Sequence, residues 1–406
     1  MSLLDLLSQK KVWLDFFKHK SENEFFYEDE AEDLRAFIEK EQYMPVCQRI
    51  YSGETFPLSR VHKINKKSTG KKRTVFVFPR AENYVFKLLA YLLYKYDYLF
   101  ENNLYSFRQK IDVKQAVARL IGEIKGKGKY SYKADIHDYF NSVNAEKMIS
   151  ILKARITDDD RLVSFIESIL TEPCAMENGQ MVEIKKGIMA GVPISGFLAD
   201  LYLSELDKHF SENGILYARY SDDIIVFADT EEEIKAHERT IKEHLAKMGL
   251  EINPKKELHT LPEETWEFLG FAITGNTVDV ATASVKKIKD KIKRKARSLI
   301  RWWKRNNKKP IYAVRALIKK FNSKFYNNDD ITEITWCKWY FPTINTDKSL
   351  KEIDRYMVAC ARHIYTGKYT KANYNLRYET LKELGFRSLV NEFYKFKSNK
   401  DIFYND

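Results

Sequence analysis

The chain has 406 residues, of which 44% are hydrophobic and 31% charged, and its formal net charge is +12. This length suggests two or three domains with an ample core, and the charge indicates a polyanionic partner. Four cysteines without paired spacing argue against a zinc knuckle or a disulfide scaffold, and no apolar run approaches the roughly 20 residues of a membrane span. We therefore expect a cytoplasmic protein without a membrane partner, in an oligomeric state that the sequence leaves open.

The first 60 residues predict a helical extension without visible chemistry. Apolar residues at helical spacing predict a helix over 3–19. A second helix is predicted over Glu28–Glu41, and Pro45 is expected to end it.

A basic hairpin follows. Two strand-like runs flank a turn signal at 68–70, and Lys72 and Arg73 lie beside the turn. Lysine and arginine donors meet phosphate oxygens, so this hairpin suits a triphosphate; a solvated basic turn is the alternative. After a buried helix predicted over Glu82–Phe100, Arg108 is a second candidate contact to phosphate or template.

The next signal is an acid at the end of an apolar strand. Residues 130–136 alternate, so that Tyr130, Tyr132 and Ala134 share one face while Asp135 takes the other. A metal ligand and an N-cap for the next helix are both consistent with an aspartate at this position.

A glycine-punctuated loop over 187–203 enters an apolar helix. Gly191 and Gly196 allow a backbone to approach a ligand closely. A loop shaped only for packing is the alternative.

Residues 215–228 give the strongest indication of a metal site in the sequence. Two apolar runs flank Ser221, Asp222 and Asp223, which predicts a tight β-hairpin with two carboxylates at its tip. Like charges repel, and a hard divalent cation such as Mg²⁺ relieves the repulsion; a solvated turn is the alternative. Asp135 and Asp222 together are the pair that two-metal phosphoryl transfer requires.

The last third of the chain is basic. An amphipathic helix over Thr230–Met248, a lysine loop and a strand over Trp266–Ile273 precede a helix whose apolar stripe begins at Val285. The basic side of that helix can lie along a phosphate backbone, with a solvated helix face as the alternative. Its candidate nucleic-acid contacts are Lys287, Lys291, Arg294 and Arg297.

The order of these motifs resembles the fingers, palm and thumb of a reverse transcriptase. The resemblance rests on Tyr-Ser-Asp-Asp at 220–223, with Asp135 upstream and Phe268-Leu-Gly270 downstream. It implies an α+β right-hand polymerase, with an antiparallel sheet in the fingers and palm and an α-helical thumb and C-terminal region. We expect a helical extension over 1–60, fingers and palm over 61–280, and the basic helical region over 281–406.

The resemblance also implies roles for individual residues. Asp135, Asp222 and Asp223 match the metal-binding carboxylates, and Ile136 matches the position whose carbonyl joins them. The implied cofactor is a pair of Mg²⁺ ions, with Mn²⁺ as a possible substitute.

Further matches concern the nucleotide. Phe140 matches the bulky gate that rejects a ribose 2′-hydroxyl, and Lys72 and Arg73 resemble the finger residues that hold the triphosphate. Lys256 resembles the lysine that protonates pyrophosphate, and Gly191 the loop glycine under the incoming nucleotide.

One departure from the common reverse transcriptase motifs indicates which group of these enzymes the chain resembles. The common Pro-Gln-Gly loop is Met189-Ala190-Gly191 here, which separates the chain from the retron enzymes that typically keep the glutamine. Together with Tyr105-Ser-Phe-Arg108 and the segment at 386–393, the departure resembles the prokaryotic unknown-group and abortive-infection reverse transcriptases. These are associated with defence against phage, often with a noncoding RNA.

The implied function is RNA-directed DNA synthesis from dNTPs on an RNA template, in antiphage defence with a cognate noncoding RNA. One alternative is a template-independent or protein-primed DNA polymerase of the same fold. The other is a catalytically silent RNA-binding protein.

Overall fold

The computed structural model describes residues 1–22, 26, 28–65, 72–109, 111, 113–185, 187–326 and 335–403. The turn predicted at 68–70 lies outside these residues. The chain divides into two compact units, Met1–Glu264 and Thr265–Asp406. This division differs from the predicted boundaries at 60 and 280. The N-terminal helices belong to the first unit because buried side chains such as Trp13 and Phe37 share one core with the residues that follow.

The first unit contains helices and two sheets. Its helices are α1 (Leu3–Leu6), α2 (Lys10–Ser21), α3 (Glu28–Glu39), α4 (Met44–Ser52), α5 (Arg80–Leu92), α6 (Val113–Ile124), α7 (Tyr139–Ser142), α8 (Ala145–Arg155), α9 (Asp160–Thr171), α10 (Ser195–Tyr202), α11 (Ser204–Glu212) and α12 (Glu231–Met248). Its strands are β1 (Arg60–Asn65), β2 (Lys72–Val77), β3 (Tyr130–Asp135), β4 (Cys174–Glu177), β5 (Gln180–Glu183), β6 (Tyr217–Tyr220), β7 (Asp223–Ala228) and β8 (Leu258–Thr260).

Two N-terminal predictions need correction. The helix predicted over 3–19 is two helices, α1 and α2, and Ser2 caps the first of them with a hydrogen bond to the Leu4 N–H. Pro45 does not end a helix but lies in the first turn of α4. Proline is tolerated there because its missing N–H has no partner within the helix. The helix predicted over Glu82–Phe100 is α5 followed by a 3₁₀ helix over Leu93–Leu99.

The central sheet has the strand order β6-β7-β3-β8 and is antiparallel throughout. Its inner strands are apolar, and residues 224–228 of β7 are all buried. Helix α12 packs against β7 and β3. This helix begins with a capping box between Thr230 and Glu233 and ends at Gly249, which adopts a left-handed conformation.

The hairpin sheet has the strand order β2-β1-β4-β5. Strands β1 and β2 are antiparallel, with Asn65 opposite Lys72 at the end that carries the basic residues. The predicted basic hairpin is therefore confirmed in its two strands.

The second unit combines a small sheet with helices. Its strands β9 (Trp266–Phe268), β10 (Phe271–Thr274) and β11 (Thr277–Val280) pair in the antiparallel order β11-β10-β9. Its helices are α13 (Thr282–Arg305), α14 (Pro310–Tyr326), α15 (Trp336–Tyr340), α16 (Lys348–Thr366), α17 (Tyr378–Glu383) and α18 (Leu389–Phe403), and a 3₁₀ helix covers Lys371–Asn375.

The strand predicted over Trp266–Ile273 is a tight hairpin, because Leu269 and Gly270 both have positive φ and reverse the chain. The basic helix is α13, which packs against α14 and α16. The α+β class with a helical C-terminal region is confirmed. Within the described ranges, none of the helices combines the length and the apolar character that a membrane crossing needs.

Candidate active site

Three aspartates lie together at one edge of the central sheet. Strands β3 and β7 are antiparallel, and their register sets Asp135 directly opposite Asp223. Beyond the end of β3, the Ile136 N–H donates to the Asp222 carbonyl oxygen at 2.9 Å. The fold therefore brings together the three carboxylates that the sequence places far apart.

The β6–β7 hairpin determines where two of these acids stand. Tyr220 pairs with Asp223, so Ser221 and Asp222 form a two-residue turn. Ser221 has a φ of 58°, which a type II′ hairpin turn requires at its first position. The predicted hairpin is confirmed, with Asp222 in the turn and Asp223 at the start of β7.

The carboxylates perturb one another. Burial and the nearby Asp135 carboxylate raise the pKa of Asp222. Burial raises the pKa of Asp223 to about 6, although Lys133 opposes this effect. The Lys133 Nζ lies 3.4 Å from Asp223 Oδ1. Repulsion between buried acids is the pattern expected where a cation is to be bound.

Lys256 and Asn253 contact the first of these acids. The Lys256 Nζ lies 2.5 Å from Asp135 Oδ2. The Asn253 N–H donates to the Asp135 carbonyl oxygen at 2.8 Å, and its side-chain amide lies 3.4 Å from Asp135 Oδ1. The lysine predicted from the motif order is thus an immediate neighbour of the acidic cluster, and Asn253 is a supporting residue that the motifs did not reveal.

The three aspartates offer carboxylate oxygens, the type of ligand that a hard cation binds. Across the residues that the structure describes, no group of three or more histidine, cysteine, aspartate or glutamate side chains is arranged to hold a metal ion. The three carboxylates are adjacent, but Lys256 binds an oxygen of Asp135 and Lys133 faces one of Asp223. Carboxylate oxygens are the ligands that Mg²⁺ prefers, and a metal at these acids stays a prediction.

The predicted gate residue lies beside the fingers arginine. Phe140 belongs to the short helix α7 just after β3, and the guanidinium carbon of Arg73 lies 5.7 Å from the centre of its ring. The charge of Arg73 also acts on Asp222. Lys72, at the start of β2, is exposed. The structure therefore brings Arg73, Phe140 and the acidic cluster into one neighbourhood.

The glycine loop docks on these same elements. Gly191 has a φ of 102°, and a Cβ there would come within 3.0 Å of the Phe76 carbonyl oxygen. The Phe76 N–H donates to the Ala190 carbonyl oxygen at 2.7 Å. At Gly187, a Cβ would come within 2.2 Å of the Phe140 carbonyl oxygen. Packing alone thus accounts for Gly191, and its contact with a nucleotide stays a prediction.

A buried ion pair lies behind the hairpin, and the motifs did not reveal it. Arg219 on β6 is fully buried, and its Nε and Nη2 donate to the Asp207 carboxylate at 2.8 and 2.5 Å. Burial raises the pKa of the neighbouring Asp200 to about 8. The available signal was a charged residue at a buried position of an apolar strand, with three acids in the largely apolar segment 197–207, of which Asp200 and Asp207 are buried.

Arg108 stands apart from the other predicted contacts. Its side chain is only 5% exposed and donates to both carboxylate oxygens of Asp97, at 2.9 and 2.8 Å. It also donates to the Glu101 carbonyl oxygen at 2.6 Å. This pairing holds the segment at 97–108 together, and it does not support the predicted contact with phosphate or template.

In the second unit, α13 has the predicted two-sided character. Its apolar stripe is buried, whereas Lys287, Arg294 and Arg297 are exposed and Lys291 is half-buried. Lys287 and Lys291 line a cavity of about 290 Å³ together with Trp336, Trp339 and Tyr340. Cationic and aromatic side chains in one cavity are typical of surfaces that bind nucleic acid, and the contact itself stays a prediction.

Residues 64–273 match the family described as "Reverse transcriptase (RNA-dependent DNA polymerase)". The matched range covers more than half of the chain and contains the acidic cluster, the glycine loop and Lys256.

Two bacterial proteins are similar to parts of the chain. Retron Ec86 reverse transcriptase of Escherichia coli is 27% identical over 162 residues, which cover 39% of this chain and 47% of that protein. Group II intron-encoded protein LtrA of Lactococcus lactis subsp. cremoris is 25% identical over 241 residues, which cover 57% and 40%. The chain thus spans less than half the length of the curated relatives it matches.

Solved structures of telomerase are also similar at low identity. Apo telomerase from Candida tropicalis, truncated from its C-terminal domain, gives a TM-score of 0.46 at 15% identity over 55% of each chain. Telomerase from Candida albicans in complex with a fragment of telomeric RNA gives 0.45 at 13% identity, over 90% of this chain and 70% of that one.

Proposed function

Because the chain belongs to the reverse transcriptase family, as its motifs predicted, we propose that it is an RNA-directed DNA polymerase. In this reaction the 3′-hydroxyl of a primer attacks the α-phosphate of a dNTP and pyrophosphate leaves. The observation that carries the proposal is the juxtaposition of Asp135, Asp222 and Asp223 at one sheet edge, with Lys256 in contact. Buried, mutually repelling carboxylates beside a lysine suit phosphoryl transfer.

The proposed cofactor is a pair of Mg²⁺ ions, for which Mn²⁺ could substitute. Asp135 and Asp222 would hold both ions, the Ile136 carbonyl would join them, and Asp223 would support the site. When bound, such ions lower the pKa of the attacking hydroxyl and neutralise the triphosphate. The chain's own contribution is to hold the acids at fixed positions on two paired strands, where repulsion between them favours cation binding.

The remaining residues bind and orient the nucleotide. Lys72 and Arg73 hold the triphosphate, and Phe140 excludes a ribose 2′-hydroxyl, so that deoxynucleotides are preferred. Gly191 lies under the incoming nucleotide. Lys256, once it leaves Asp135, donates a proton to the departing pyrophosphate. The short distance between the Arg73 guanidinium and the Phe140 ring supports a shared pocket for phosphate and sugar.

Primer extension on a defined RNA template tests this function. The purified protein is incubated with dNTPs and either Mg²⁺ or Mn²⁺, and the product is sequenced. DNA complementary to the template supports the proposal. Homopolymeric or random DNA supports template-independent synthesis instead, and RNA binding without incorporation supports a silent RNA-binding protein. A double variant Asp222→Ala, Asp223→Ala that stays as active as the parent contradicts the mechanism.

The proposed partners are a cognate noncoding RNA as template, dNTPs and the DNA product, and the proposed role is defence against phage. The net charge of +12 and the basic face of α13, with Lys287, Lys291, Arg294 and Arg297, suit a nucleic-acid partner. Sequencing of nucleic acids that co-purify with the protein tests the partner, and a single enriched RNA is expected. Phage plating with the parent and with the Asp222→Ala, Asp223→Ala variant tests the role, and only the parent should protect.

A further inference from the structure

Buried side chains hydrogen-bond to the backbone of the turn that carries Asp222. Ser221 is the residue before it, is 5% exposed, and has a φ of 58°. Side chains other than glycine rarely adopt this left-handed conformation, so it persists only where the surroundings hold it. Any relaxation at Ser221 rotates the next peptide and redirects the Asp222 carboxylate.

Both backbone groups of Ser221 are fixed by buried side chains. The Ser106 Oγ accepts the Ser221 N–H at 2.8 Å and donates to Asp200 Oδ1 at 2.6 Å. On the other side, Arg219 Nη1 donates to the Ser221 carbonyl oxygen at 3.2 Å. The turn therefore has a defined partner for each of its strained backbone groups.

The Ser106 hydroxyl is placed by the neighbouring backbone. The segment before it runs beside β6, where the Arg219 N–H donates to the Asn103 carbonyl oxygen at 3.0 Å and the Tyr105 N–H to the Arg219 carbonyl oxygen at 2.9 Å. Leu104 forms a parallel bridge with Arg219. This extra edge pairing ends just before Ser106, which brings its hydroxyl beneath the turn.

The charges behind the turn are compensated. Asp207 accepts two hydrogen bonds from Arg219 and one from the Tyr217 hydroxyl at 3.0 Å. The Asp200 carbonyl oxygen accepts Arg219 Nη2 at 2.9 Å. Burial raises the pKa of Asp200 to about 8, which favours the neutral form of its carboxyl near neutral pH. Asp200 Oδ2 is buried without a hydrogen-bond partner among the described residues. The Ser106 hydroxyl, the Arg219 guanidinium and the Asp207 carboxylate are paired, and paired groups in a buried network specify one geometry.

We propose that Ser106, Arg219, Asp200 and Asp207 are positioning residues that fix the Ser221 turn and thereby aim the Asp222 carboxylate at the cation site. The inference rests on the proposed function, since it concerns how the same site is held. It assigns Tyr105-Ser-Phe-Arg108 a part in supporting the acidic cluster, through Ser106. No side chain of the network needs to touch substrate for this role.

The test is Ser106→Ala, which removes one oxygen and leaves the Ser221 N–H unpaired. We expect kcat for primer extension to fall about tenfold to a hundredfold, because small misplacements of reacting groups have effects of this size. The Mg²⁺ concentration for half-maximal activity should rise about tenfold, as for residues that orient metal ligands. KM for dNTP should stay unchanged, since the nucleotide contacts lie elsewhere.

Two control variants separate positioning from loss of stability. Ser59→Ala removes the same atom from a buried serine whose hydroxyl has no hydrogen-bond partner among the described residues, and it should leave kcat and the Mg²⁺ requirement unchanged. Val46→Ala lowers stability through a cavity in α4 without touching the turn. If Ser106→Ala does not fold, Ser106→Cys fills the space with a somewhat larger thiol, weakens both hydrogen bonds, and should show the same changes at smaller size.

Binding of Mn²⁺, followed by electron paramagnetic resonance, gives a readout that does not depend on polymerase activity. The Asp222→Ala, Asp223→Ala variant defines the share of binding that belongs to the site. If the parent protein extends no primer but Ser106→Ala weakens this Mn²⁺ binding, the positioning role stands while the polymerase proposal fails. If Ser106→Ala and Ser106→Cys match the parent in Mn²⁺ binding and in Mg²⁺ requirement, the positioning role is overturned.

Discussion

The chain gathers charge in two places by opposite means. At the β6–β7 hairpin the charged groups are buried or half-buried: Arg219 is 0% exposed and the Asp223 side chain 22%, and each has named neighbours within a few ångströms. On α13 the predicted contacts Lys287, Arg294 and Arg297 are exposed around an apolar stripe. Burial makes each charge at the hairpin sensitive to single atoms, whereas exposed charges in water act mainly through their sum.

Mutations should have larger effects on activity and stability at the β6–β7 hairpin than on the exposed face of α13. A buried group that loses its partner retains its desolvation penalty, so one substitution at the hairpin has a large effect. An exposed lysine that is removed leaves its neighbours hydrated, so its effect is small and spreads over many residues.

The largest effect is expected for Asp135→Asn. This change keeps the shape of the side chain but removes the charge that pairs with Lys256 and that a cation would require. We expect the rate of primer extension to fall by about three orders of magnitude, as for other preorganised electrostatic groups. Single-turnover primer extension measures it.

The matched control is Asp138→Asn, three residues further along the chain. Asp138 is exposed and has a φ of 45°, a conformation that asparagine adopts readily. It should retain nearly full activity. Equal losses in the two variants would mean that the acidic cluster has no special role.

Arg108→Ala tests a buried charge, because the side chain of Arg108 is only 5% exposed although the residue was predicted to contact nucleic acid. Its guanidinium is bound to both oxygens of Asp97. We expect the free energy of unfolding to fall by about 2 to 3 kcal/mol, somewhat less than for a fully buried pair because Asp97 is 38% exposed. Urea denaturation measures this change.

The control for Arg108 is Arg80→Ala, which breaks an exposed pair with Asp33 at 3.1 Å and should change stability by less than about 1 kcal/mol. Arg108→Ala should also leave the salt dependence of nucleic-acid binding unchanged. A reduced salt dependence would instead restore Arg108 as a phosphate contact.

Asp223→Asn tests the repulsion at the sheet edge. The pKa of Asp223 is raised from 3.8 to about 6, so the folded state binds a proton more tightly than the unfolded state, and stability falls as pH rises from 4 to 6. The shift already includes the attraction to Lys133, so it corresponds to a gain of up to about 3 kcal/mol when the charge is removed.

The variant should therefore be more stable than the parent at pH 7.5 without divalent cations. The difference should vanish below about pH 4, where Asp223 is protonated in both states. Denaturation at both pH values with a chelator present measures it. A variant that is less stable than the parent at pH 7.5 would mean that the pair with Lys133 outweighs the repulsion. Cation binding by the parent should weaken as pH falls below about 6.

How much the sequence could predict differs between these regions for a physical reason. The hairpin at 215–228 and the stripe of α13 depend on periodicity over a few residues, so both were predictable. The partners of Ser106 lie 94 and 115 residues away, at Asp200 and Ser221, and no local pattern encodes such pairs.

The pairing of Arg108 with Asp97 was not predictable for the same reason. Basic character suggests phosphate, but Arg108 binds Asp97, which lies on the 3₁₀ helix over Leu93–Leu99, eleven residues earlier in the chain. Pro45 failed because proline marks either a helix end or a helix start, and the sequence does not distinguish them. The three acids at the sheet edge were predictable as a set, and the groups that contact their turn were not.

The smallest effects are expected on α13. Lys287→Ala and Arg297→Ala should each weaken binding to nucleic acid about two- to fivefold, and the double variant should multiply the two losses because exposed charges act independently. Each substitution should reduce the slope of log affinity against log salt by about 1, since one phosphate contact is lost. Fluorescence anisotropy of a labelled RNA–DNA duplex over a salt series measures both quantities. Lys11→Ala, which removes an exposed lysine from α2, is the control and should change neither. A variant that weakens binding without changing the slope would show that its residue supports the structure of α13, as Arg108 supports the segment at 97–108, and does not contact phosphate. Exposure alone would then not identify the residues of α13 that bind nucleic acid.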